Sequence, residues 1–383
     1  KPMNSISNPS KYRFLVISGL ILLFYISIPS HLIAQDKSPT VIDYVSTAKF
    51  GKEIIYYSSN KEVLNGFYKI AEQTGAYSEA TFVEGKVNGK WTAYDSFGNL
   101  EYTSTFANGV PNGEAVTYYQ NGKIESKSFW KDGKKDGEWS SYDREGDIWK
   151  SETYKEDLKD GKWMSISKHS QGKKSKVTEL YENDAPTGTW EKSWEDGQKI
   201  WVKTYSAPNQ YTEKTYHDNG ELESIKGFSQ GKKDGKQESY YNTGLKEYEA
   251  DYKDGLKVME KKYHNNGQLA SSDNYNVNGN IGVSERYNKE GHKARHTPYT
   301  DGRLNGIDIS YHNNGNKYVE KEYKNDISDG IYKEYSYEGQ LYLKGQYIKG
   351  QREGKWSYYD SNGKVNRERV YKADSQVSDE RFD

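Results

Sequence analysis

The sequence predicts an all-β protein: an elongated single sheet of stacked antiparallel β-hairpin repeats, about thirteen units of about 24 residues each. Three observations predict this fold. Glycine recurs at a nearly fixed period, turn signals fall about every 12 residues between β-compatible runs, and helical periodicity is absent. The 36 Tyr, 10 Phe and 9 Trp argue against disorder, whereas a hydrophobic content of only 33% leaves little material for a thick core.

The first segment predicts export. Lys11 and Arg13 precede an apolar run over residues 14–28, and the small residue Ala34 follows it. These features are typical of a secretory signal peptide, here residues 1–34, cleaved after its last residue. The apolar run of 15 residues is shorter than the about 20 that a membrane-spanning helix needs, and an uncleaved membrane anchor is the alternative. We therefore expect the protein in the periplasm, at the cell envelope or outside the cell.

One glycine opens each unit of the repeat. The opening positions are Gly66, Gly89, Gly113, Gly137, Gly161, Gly188, Gly235, Gly282, Gly306, Gly330 and Gly354, with Thr212 and Met259 in the same place of two further units. A second glycine in mid-unit is often preceded by Asn, at Asn121, Asn219, Asn266, Asn314 and Asn362. Because a type I′ turn needs positive φ at both central residues, Asn-Gly predicts a tight hairpin turn. Each unit is predicted as strand, tight turn, strand and longer turn.

The repeat also predicts the domain boundaries. The array covers residues 66–376, a capping segment covers 35–65, and a frayed tail covers 377–383. A lone hairpin is marginally stable in water, so we expect each unit to gain its stability by stacking on its neighbours.

Aromatic residues keep the register of the repeat. One lies seven residues before every opening position after Gly66, at Phe82, Phe106, Trp130, Tyr154, Tyr181, Tyr205, Phe228, Tyr252, Tyr275, Tyr299, Tyr323 and Tyr347, and Tyr371 continues the series. In several units a second aromatic follows nine residues later, as in Trp130 with Trp139 and Tyr154 with Trp163. We expect such pairs to face each other across the longer turn, about 4.5–5.5 Å apart, and to clamp one hairpin to the next.

Tyrosine recurs four residues before the mid-unit glycine in ten units. Together with the tryptophans, these tyrosines form a candidate binding face, with the members Trp139, Trp163, Trp190, Tyr216, Tyr240, Tyr263, Tyr311 and Tyr335. The alternative is a purely structural role, because a thin sheet has little else to pack.

Histidines suggest a metal site, but their spacing opposes it. His217, His264 and His312 share one position of the repeat, and neighbours at two-unit spacing would lie roughly 19 Å apart, whereas zinc needs ligands at about 2 Å. His292 and His296 are closer together but lack convincing carboxylate partners. We therefore expect no metal and no cofactor.

Charge and motifs limit the function classes. The 55 basic and 56 acidic residues give a net charge of −1, so no basic excess supports nucleic-acid binding. The sequence has no Cys, which excludes disulfides and thiolate sites. No phosphate loop, nucleophile elbow or zinc-protease motif is found, so we expect no catalytic residues and no enzyme activity.

The pattern Gly-x-Trp-x-x-Tyr-x-x-Asn-Gly-x-Leu, followed by Tyr-x-x-Gly-x-x-x-Gly, resembles the MORN repeat variant of YwqK-type antitoxin family proteins. The match is best in units 113–136, 137–160 and 330–353, and the resemblance spans roughly residues 62–376. It implies hairpins stacked into a twisted sheet and a role in protein interaction or scaffolding. An antitoxin role against a cytoplasmic toxin fits poorly with a signal peptide.

Three functions remain open at this point. The first is an exported scaffold that binds an unidentified protein or self-associates through its end strands, with its oligomeric state undetermined. The second is binding of cell-wall or other envelope polysaccharide through surface aromatics, since Gly-Lys-Trp-Ser-Tyr-Tyr at 354–359 is similar to choline-binding-type wall repeats. The third is an antitoxin or immunity protein that acts outside the cytoplasm. Membrane contact is expected only through an uncleaved signal segment.

Overall fold

β-Hairpins make up nearly all of the described chain, as the alternation of Tyr, Trp, Thr and Val with polar residues predicts. The computed structural model describes residues 38–43, 45–50 and 53–382, so the predicted signal peptide lies outside the described residues. The chain divides into two compact units, Lys1–Ala185 and Pro186–Asp383, each of which contains several repeats and is described by itself. They are called the first unit and the second unit below. The predicted all-β fold of antiparallel hairpin repeats is confirmed.

The strands of the first unit alternate with turns along the chain. They are β1 (Thr40–Ile42), β2 (Ser46–Phe50), β3 (Glu53–Tyr57), β4 (Gly66–Ala71), β5 (Tyr77–Val83), β6 (Lys86–Tyr94), β7 (Leu100–Ala107), β8 (Val110–Tyr118), β9 (Ile124–Lys131), β10 (Lys134–Lys135), β11 (Gly137–Tyr142), β12 (Ile148–Lys155), β13 (Leu158–Lys159), β14 (Gly161–Lys168) and β15 (Lys174–Glu182), with a short 3-10 helix at Ser170–Gly172. β16 (Ala185–Pro186) contains the boundary between the units.

The second unit continues the same alternation. Its strands are β17 (Thr189–Trp194), β18 (Lys199–Ala207), β19 (Gln210–Tyr216), β20 (Leu222–Ser229), β21 (Lys232–Tyr240), β22 (Lys246–Lys253), β23 (Leu256–Tyr263), β24 (Leu269–Tyr275), β25 (Ile281–Tyr287), β26 (Lys293–Thr300), β27 (Arg303–Leu304), β28 (Gly306–Tyr311), β29 (Lys317–Lys324), β30 (Ile327–Tyr335), β31 (Leu341–Ile348), β32 (Gln351–Tyr359), β33 (Val365–Lys372) and β34 (Ser375–Arg381). Among the described residues, no helix is long and apolar enough to span a bilayer.

The two kinds of turn are the reverse of the prediction. Most links between repeats are tight turns: Asp132 (φ 48°) and Gly133 (φ 78°) form a two-residue loop between Lys131 and Lys134, as a type I′ turn requires. The link over 276–280 is an exception, with five residues. The Asn-Gly turn is the longer one, a five-residue loop over 119–123 in which only the glycine has positive φ. Asp-Gly meets the type I′ requirement as well as Asn-Gly does, so the dipeptide alone did not identify the tighter turn.

The opening glycines lie opposite the predicted clamp aromatics. Cross-strand partners include Gly89 with Phe106, and Gly137 with Tyr154. Gly137 has φ 104°, and a Cβ there would lie 3.1 Å from that of Phe129, so both conformation and space favour glycine. An aromatic ring opposite a glycine covers backbone that would otherwise be bare, which explains why the two positions recur together.

Two opening positions were assigned wrongly from the sequence: Thr212, and Met259, which pairs with Asn274 and not with the clamp aromatic Tyr275. Tyr211, rather than Thr212, pairs with Phe228 in the place that glycine holds elsewhere. The Tyr211 ring stacks on Phe228 with a centroid distance of 5.0 Å and also lies 5.2 Å from the ring of Tyr205. Constant spacing from the preceding unit failed here because loop lengths differ.

The predicted direct pairing of clamp aromatics is also wrong. In the β5–β6 pair, Trp91 lies opposite Ala80 and Phe82 lies opposite Val87, because a β-bulge shifts the register between them. The two rings still contact each other diagonally, with centroids 6.3 Å apart. The aromatics therefore clamp adjacent hairpins across a bulge.

Residues before the first repeat pack against it. β1 pairs in parallel with β4, and β2 and β3 form a separate hairpin. Tyr56 and Leu64 are buried in one cluster with Phe82 and Val87. A Cβ on Gly85 would lie 3.1 Å from the carbonyl oxygen of Tyr56, which shows how closely the hairpin approaches the first turn.

The C-terminal residues differ from the prediction of a frayed tail over 377–383. Most of them belong to β34, which pairs with β33 through Arg381. Backbone pairing and the ion pairs of Asp379 with Arg367 and Arg369 hold this strand, although all seven of its residues are exposed. Composition suggested fraying because these backbone and cross-strand partners are not visible in it.

Candidate functional site: two faces of the repeat

The predicted binding aromatics divide between the two faces of the sheet. We call the face with the opening glycine the glycine face and the other the tyrosine face. Trp139 follows Gly137 by two residues and shares its face, whereas the recurrent tyrosine, Tyr142 in that unit, follows by five and lies on the opposite face.

Trp139, Trp163 and Trp190 therefore lie on the glycine face, each two residues after its opening glycine. The five predicted tyrosines of the set lie on the tyrosine face: Tyr216, Tyr240, Tyr263, Tyr311 and Tyr335. All eight side chains are half-buried, so the structure does not unite them in one surface.

Five aromatic rings form a continuous series on the glycine face of the first unit. We call it the aromatic ladder; its members are Trp130, Trp139, Tyr154, Trp163 and Tyr181. Successive centroids are 4.8, 5.7, 5.2 and 5.4 Å apart, and the rings are tilted or edge-to-face. Such contacts contribute about 0.5–1.5 kcal/mol per pair beyond the burial of area.

Lysine side chains lie over the rings of this ladder. The Lys135 ammonium lies 4.2 Å from the Trp139 ring centroid and 4.6 Å from that of Tyr154. Lys159 stands in the same relation to Trp163 and Tyr181, at 4.2 and 4.5 Å. These contacts satisfy the geometry of cation–π interactions.

The indole nitrogens bind the backbone at the bulge. Trp139 Nε1 donates to the Phe129 carbonyl, and Trp163 Nε1 donates to the Thr153 carbonyl, both at 3.0 Å. In the second unit Gln237 occupies this position and donates through Nε2 to the Gly227 carbonyl at 2.8 Å. The hydrogen bond is thus retained where tryptophan is absent, which indicates that the donor has a structural role.

Burial and the nearby carboxylate of Glu152 raise the pKa of Tyr154 to about 12. The phenol oxygen of Tyr154 lies 3.5 Å from that carboxylate, which also forms an ion pair with Lys150 at 2.6 Å. This ladder tyrosine therefore stays neutral at physiological pH.

In the second unit, the glycine face holds buried carboxylates and a buried threonine that the sequence reasoning missed; Asp308, two residues after Gly306, takes the position that Trp139 takes after Gly137. We call this set the charged row; its members are Glu260, Asp273, Thr297 and Asp308. The three carboxylates are only 5–8% exposed, and Glu260 lies directly opposite Asp273. Two acidic side chains so placed repel each other unless cations lie nearby.

Half-exposed lysines and arginines form ion pairs with these carboxylates. Arg286 binds Asp273 through both terminal nitrogens, at 2.6 and 3.4 Å, while Lys257 and Lys262 bind Glu260. Arg295 binds Asp308 with two contacts of 3.1 Å, and Thr297 Oγ1 donates to the same carboxylate at 2.6 Å. The sequence signal for this row is opposite charge on neighbouring strands, as in Asp273 with Arg286 and Asp308 with Arg295.

The tyrosine face of the second unit carries clusters of Glu, Lys and Tyr. Glu285 accepts hydrogen bonds from Tyr287 and Lys293, both at 2.7 Å, and contacts His296 at 3.2 Å. Burial opposes the charge on Glu285, but these three hydrogen-bond partners outweigh it and lower its pKa to about 2. Burial and the hydrogen bond to Glu285 in turn raise the pKa of Tyr287 to about 12.

A second cluster has the same composition. Lys246 donates to Glu238 at 2.7 Å and to Glu249 at 2.6 Å, and Tyr240 donates to Glu238 at 2.8 Å. Burial opposes the charge on Lys246, yet the two carboxylates raise its pKa above the ordinary value. The predicted site residue Tyr240 is therefore part of an internal ionic network.

The three equivalent histidines connect successive repeats. Nε2 of His217, His264 and His312 lies 2.8, 3.2 and 3.0 Å from the carbonyl oxygen of the tyrosine 23 residues later. Tyr119 makes the same contact through its hydroxyl, at 2.7 Å from the Tyr142 carbonyl. Within the described ranges, no group of three or more potential ligands could hold a metal ion.

Comparison with known proteins identifies the repeat. The model of the MORN repeat variant matches five segments of this chain: 87–108, 111–132, 135–156, 259–276 and 352–373. Each segment runs from the strand after a link between units to the next such link, so the family pattern corresponds to one structural hairpin. A search of curated protein sequences finds no significant match.

Solved structures give only distant likenesses. The crystal structure of TcdB2-TccC3-TEV is 11% identical over 86% of this chain and 22% of that chain, with a TM-score of 0.17. That of TcdB2-TccC3 is 11% identical over 84% and 21%, with a TM-score of 0.13. A structure described as the eukaryotic initiation factor is 11% identical over 87% and 96%, with a TM-score of 0.17. This chain thus spans about a fifth of the first two chains, and at these TM-scores no functional likeness follows.

Proposed function

We propose that this chain is an exported, non-catalytic repeat scaffold that binds a protein partner at the cell envelope or outside the cell. The MORN repeat variant supports the scaffold role in general terms. The aromatic ladder carries the proposal of a specific face, because half-buried Trp and Tyr rings bordered by cationic side chains resemble the residues that dominate binding energy at protein interfaces.

A photo-crosslinking experiment tests which face binds. Lys150 lies beside the ladder on the glycine face and Lys127 lies on the tyrosine face, with similar side-chain exposures of 40% and 35%. We expect a photoreactive residue at 150 to crosslink a protein of the envelope fraction, in a manner that excess unlabelled protein suppresses, and one at 127 to give little product. Equal crosslinking from both positions, or none from either, would contradict the proposal.

Polysaccharide binding is the second candidate, favoured by the half-exposed indoles of Trp139 and Trp163. The lysines over these rings favour the protein partner instead, since they occupy ring surface on which a sugar would stack. Sedimentation with purified peptidoglycan, lost on replacing both tryptophans by alanine, would reverse this order. An antitoxin or immunity role would be supported if the crosslinked protein were a toxin.

Export is tested separately from binding. We expect mass spectrometry of the mature protein, purified from its source cells, to place the N-terminus at Gln35. A mature protein that retains the apolar run over 14–28 would replace cleavage by membrane anchoring and leave the binding proposal standing.

A further inference from the structure

Six Asn-Gly pairs lie in six five-residue turns that share one backbone hydrogen-bonding pattern. The turns differ in the hydrogen bonds that the asparagine side chain makes. The turns are 119–123, 217–221, 264–268, 276–280, 312–316 and 360–364. In each, the Asn is third and exposed, and the Gly N–H donates to the carbonyl of the first residue at 2.8–3.0 Å. Backbone geometry and solvent access therefore do not separate the six.

In four of these turns the asparagine side chain is fixed at both ends. Asn266 Oδ1 accepts the Gln268 N–H at 3.0 Å, and its Nδ2 donates to the Lys289 carbonyl of the next turn at 2.8 Å. The same pair of bonds holds the other three, at Asn121, Asn219 and Asn314. The first residue of these turns is Tyr or His.

In the other two turns the side chain of the first residue, and not that of the asparagine before glycine, accepts the backbone N–H groups of the turn. Asn276 Oδ1 accepts the N–H of Asn278 and of Asn280, both at 3.0 Å. Asp360 Oδ1 does the same for Asn362 and Lys364, both at 2.9 Å. The side-chain amides of Asn278 and Asn362 consequently make no hydrogen bond within the part of the protein that the structure describes.

We propose that Asn278 and Asn362 are sites of spontaneous deamidation and isoaspartate formation, and that the other four Asn-Gly turns are protected by their side-chain hydrogen bonds. In the reaction, the backbone nitrogen of the following glycine attacks Cγ of the asparagine. A new bond forms between these two atoms, the glycine nitrogen loses its proton, and the bond from Cγ to Nδ2 breaks to release ammonia. Water then opens the resulting succinimide at either carbonyl, which gives aspartate or isoaspartate.

The hydrogen bonds matter because attack requires Cγ to rotate onto the glycine nitrogen. A side chain held at Oδ1 and Nδ2 must first lose two hydrogen bonds, which slows the reaction by about tenfold or more. Glycine follows the asparagine in all six cases, so steric access to the attacking nitrogen is equal. Asn-Gly pairs in other kinds of turn lie outside this comparison.

Peptide mass spectrometry of the full-length protein, aged in mildly alkaline buffer, tests the proposal. We expect deamidation at Asn278 and Asn362 to be at least about tenfold faster than at the four held asparagines. The variant Asn278→Ser serves to assign the peptide, since it removes the signal at that site alone. Equal rates at all six sites, or faster reaction at a held site, would overturn the proposal.

The same measurement in concentrated urea is the control for local sequence. Unfolding removes the turn hydrogen bonds, so the six rates should converge. A preference for Asn278 and Asn362 that persisted in urea would assign the effect to neighbouring residues and overturn the structural explanation.

Discussion

The aromatic ladder and the charged row both lie on the glycine face of their repeats, yet they use different chemistry. Trp139 and Trp163 fill their positions with rings that contact neighbouring rings and lysines. Asp308 takes the equivalent position after Gly306, Asp273 lies directly opposite Glu260, and both carboxylates need arginines from adjacent strands. A sheet without a thick core thus tolerates either solution, provided that each side chain finds a partner across the strands.

The energetic consequences differ. Ring contacts combine area burial with weak directional attraction, and they are largely insensitive to salt and pH. Buried carboxylates contribute little net stability when paired but cost much when one partner is removed. We therefore expect the two regions to respond differently to mutation, salt and acid.

The largest expected effect comes from breaking the aromatic ladder. Trp163→Ala removes two ring contacts, one cation–π contact and the hydrogen bond to Thr153, and should lower local stability by about 3 kcal/mol. Hydrogen exchange in β12 to β15 measures this, because repeat arrays can open locally. The control is Trp149→Ala, whose ring is 43% exposed, and equal effects of the two changes would contradict the assignment.

The next effect comes from breaking the charged row. Asp308→Ala removes the acceptor of Arg295 and Thr297 and should cost about 2 kcal/mol of local stability, with hydrogen exchange in β26 to β29 as the measure. Lys134→Ala breaks an exposed pair with Glu156 and should cost less than about 0.5 kcal/mol. If high salt weakened the ladder as much as this row, the contrast between the two regions would fail.

Acid should weaken the second unit through Glu285. Its folded pKa of about 2 lies below its ordinary value of 4.5, so its contribution to stability is complete above pH 4.5 and is lost as the pH falls toward 2. Allowing for partial solvent screening, we expect a loss of about 1–2 kcal/mol in hydrogen-exchange protection of β25 and β26. The variant Glu285→Gln should lack this step; an unchanged acid profile would argue against it.

The smallest effect concerns a kind of contact that occurs in each unit separately. Tyr119→Phe in the first unit and His264→Phe in the second each remove one hydrogen bond to the next turn, at a cost of about 1 kcal/mol. Local hydrogen exchange, measured as the protein is heated, should show similar losses of stability for both variants. A much larger loss in one unit would mean that the turns, as well as the glycine face, differ between the regions.

The sequence predicted the hairpin repeat but not its register. Glycine and aromatic spacing located the strands, because positive φ and ring packing restrict residue choice at those positions. Direct pairing of Phe82 with Trp91, the place of Thr212 and the tight Asn-Gly turn were all wrong. A bulge or a loop of different length shifts cross-strand partners without changing the period along the sequence.

The sequence by itself determined the fold class, the repeat length and the identity of the recurrent aromatics, since each depends on local conformation and spacing. Only the tertiary structure decided which side chains share a face: it placed the tryptophans and tyrosines of the predicted binding set on opposite sides. It also decided which charges are buried and which asparagines are held. These properties depend on contacts between strands and turns of neighbouring repeats, and such contacts follow from register rather than from residue type.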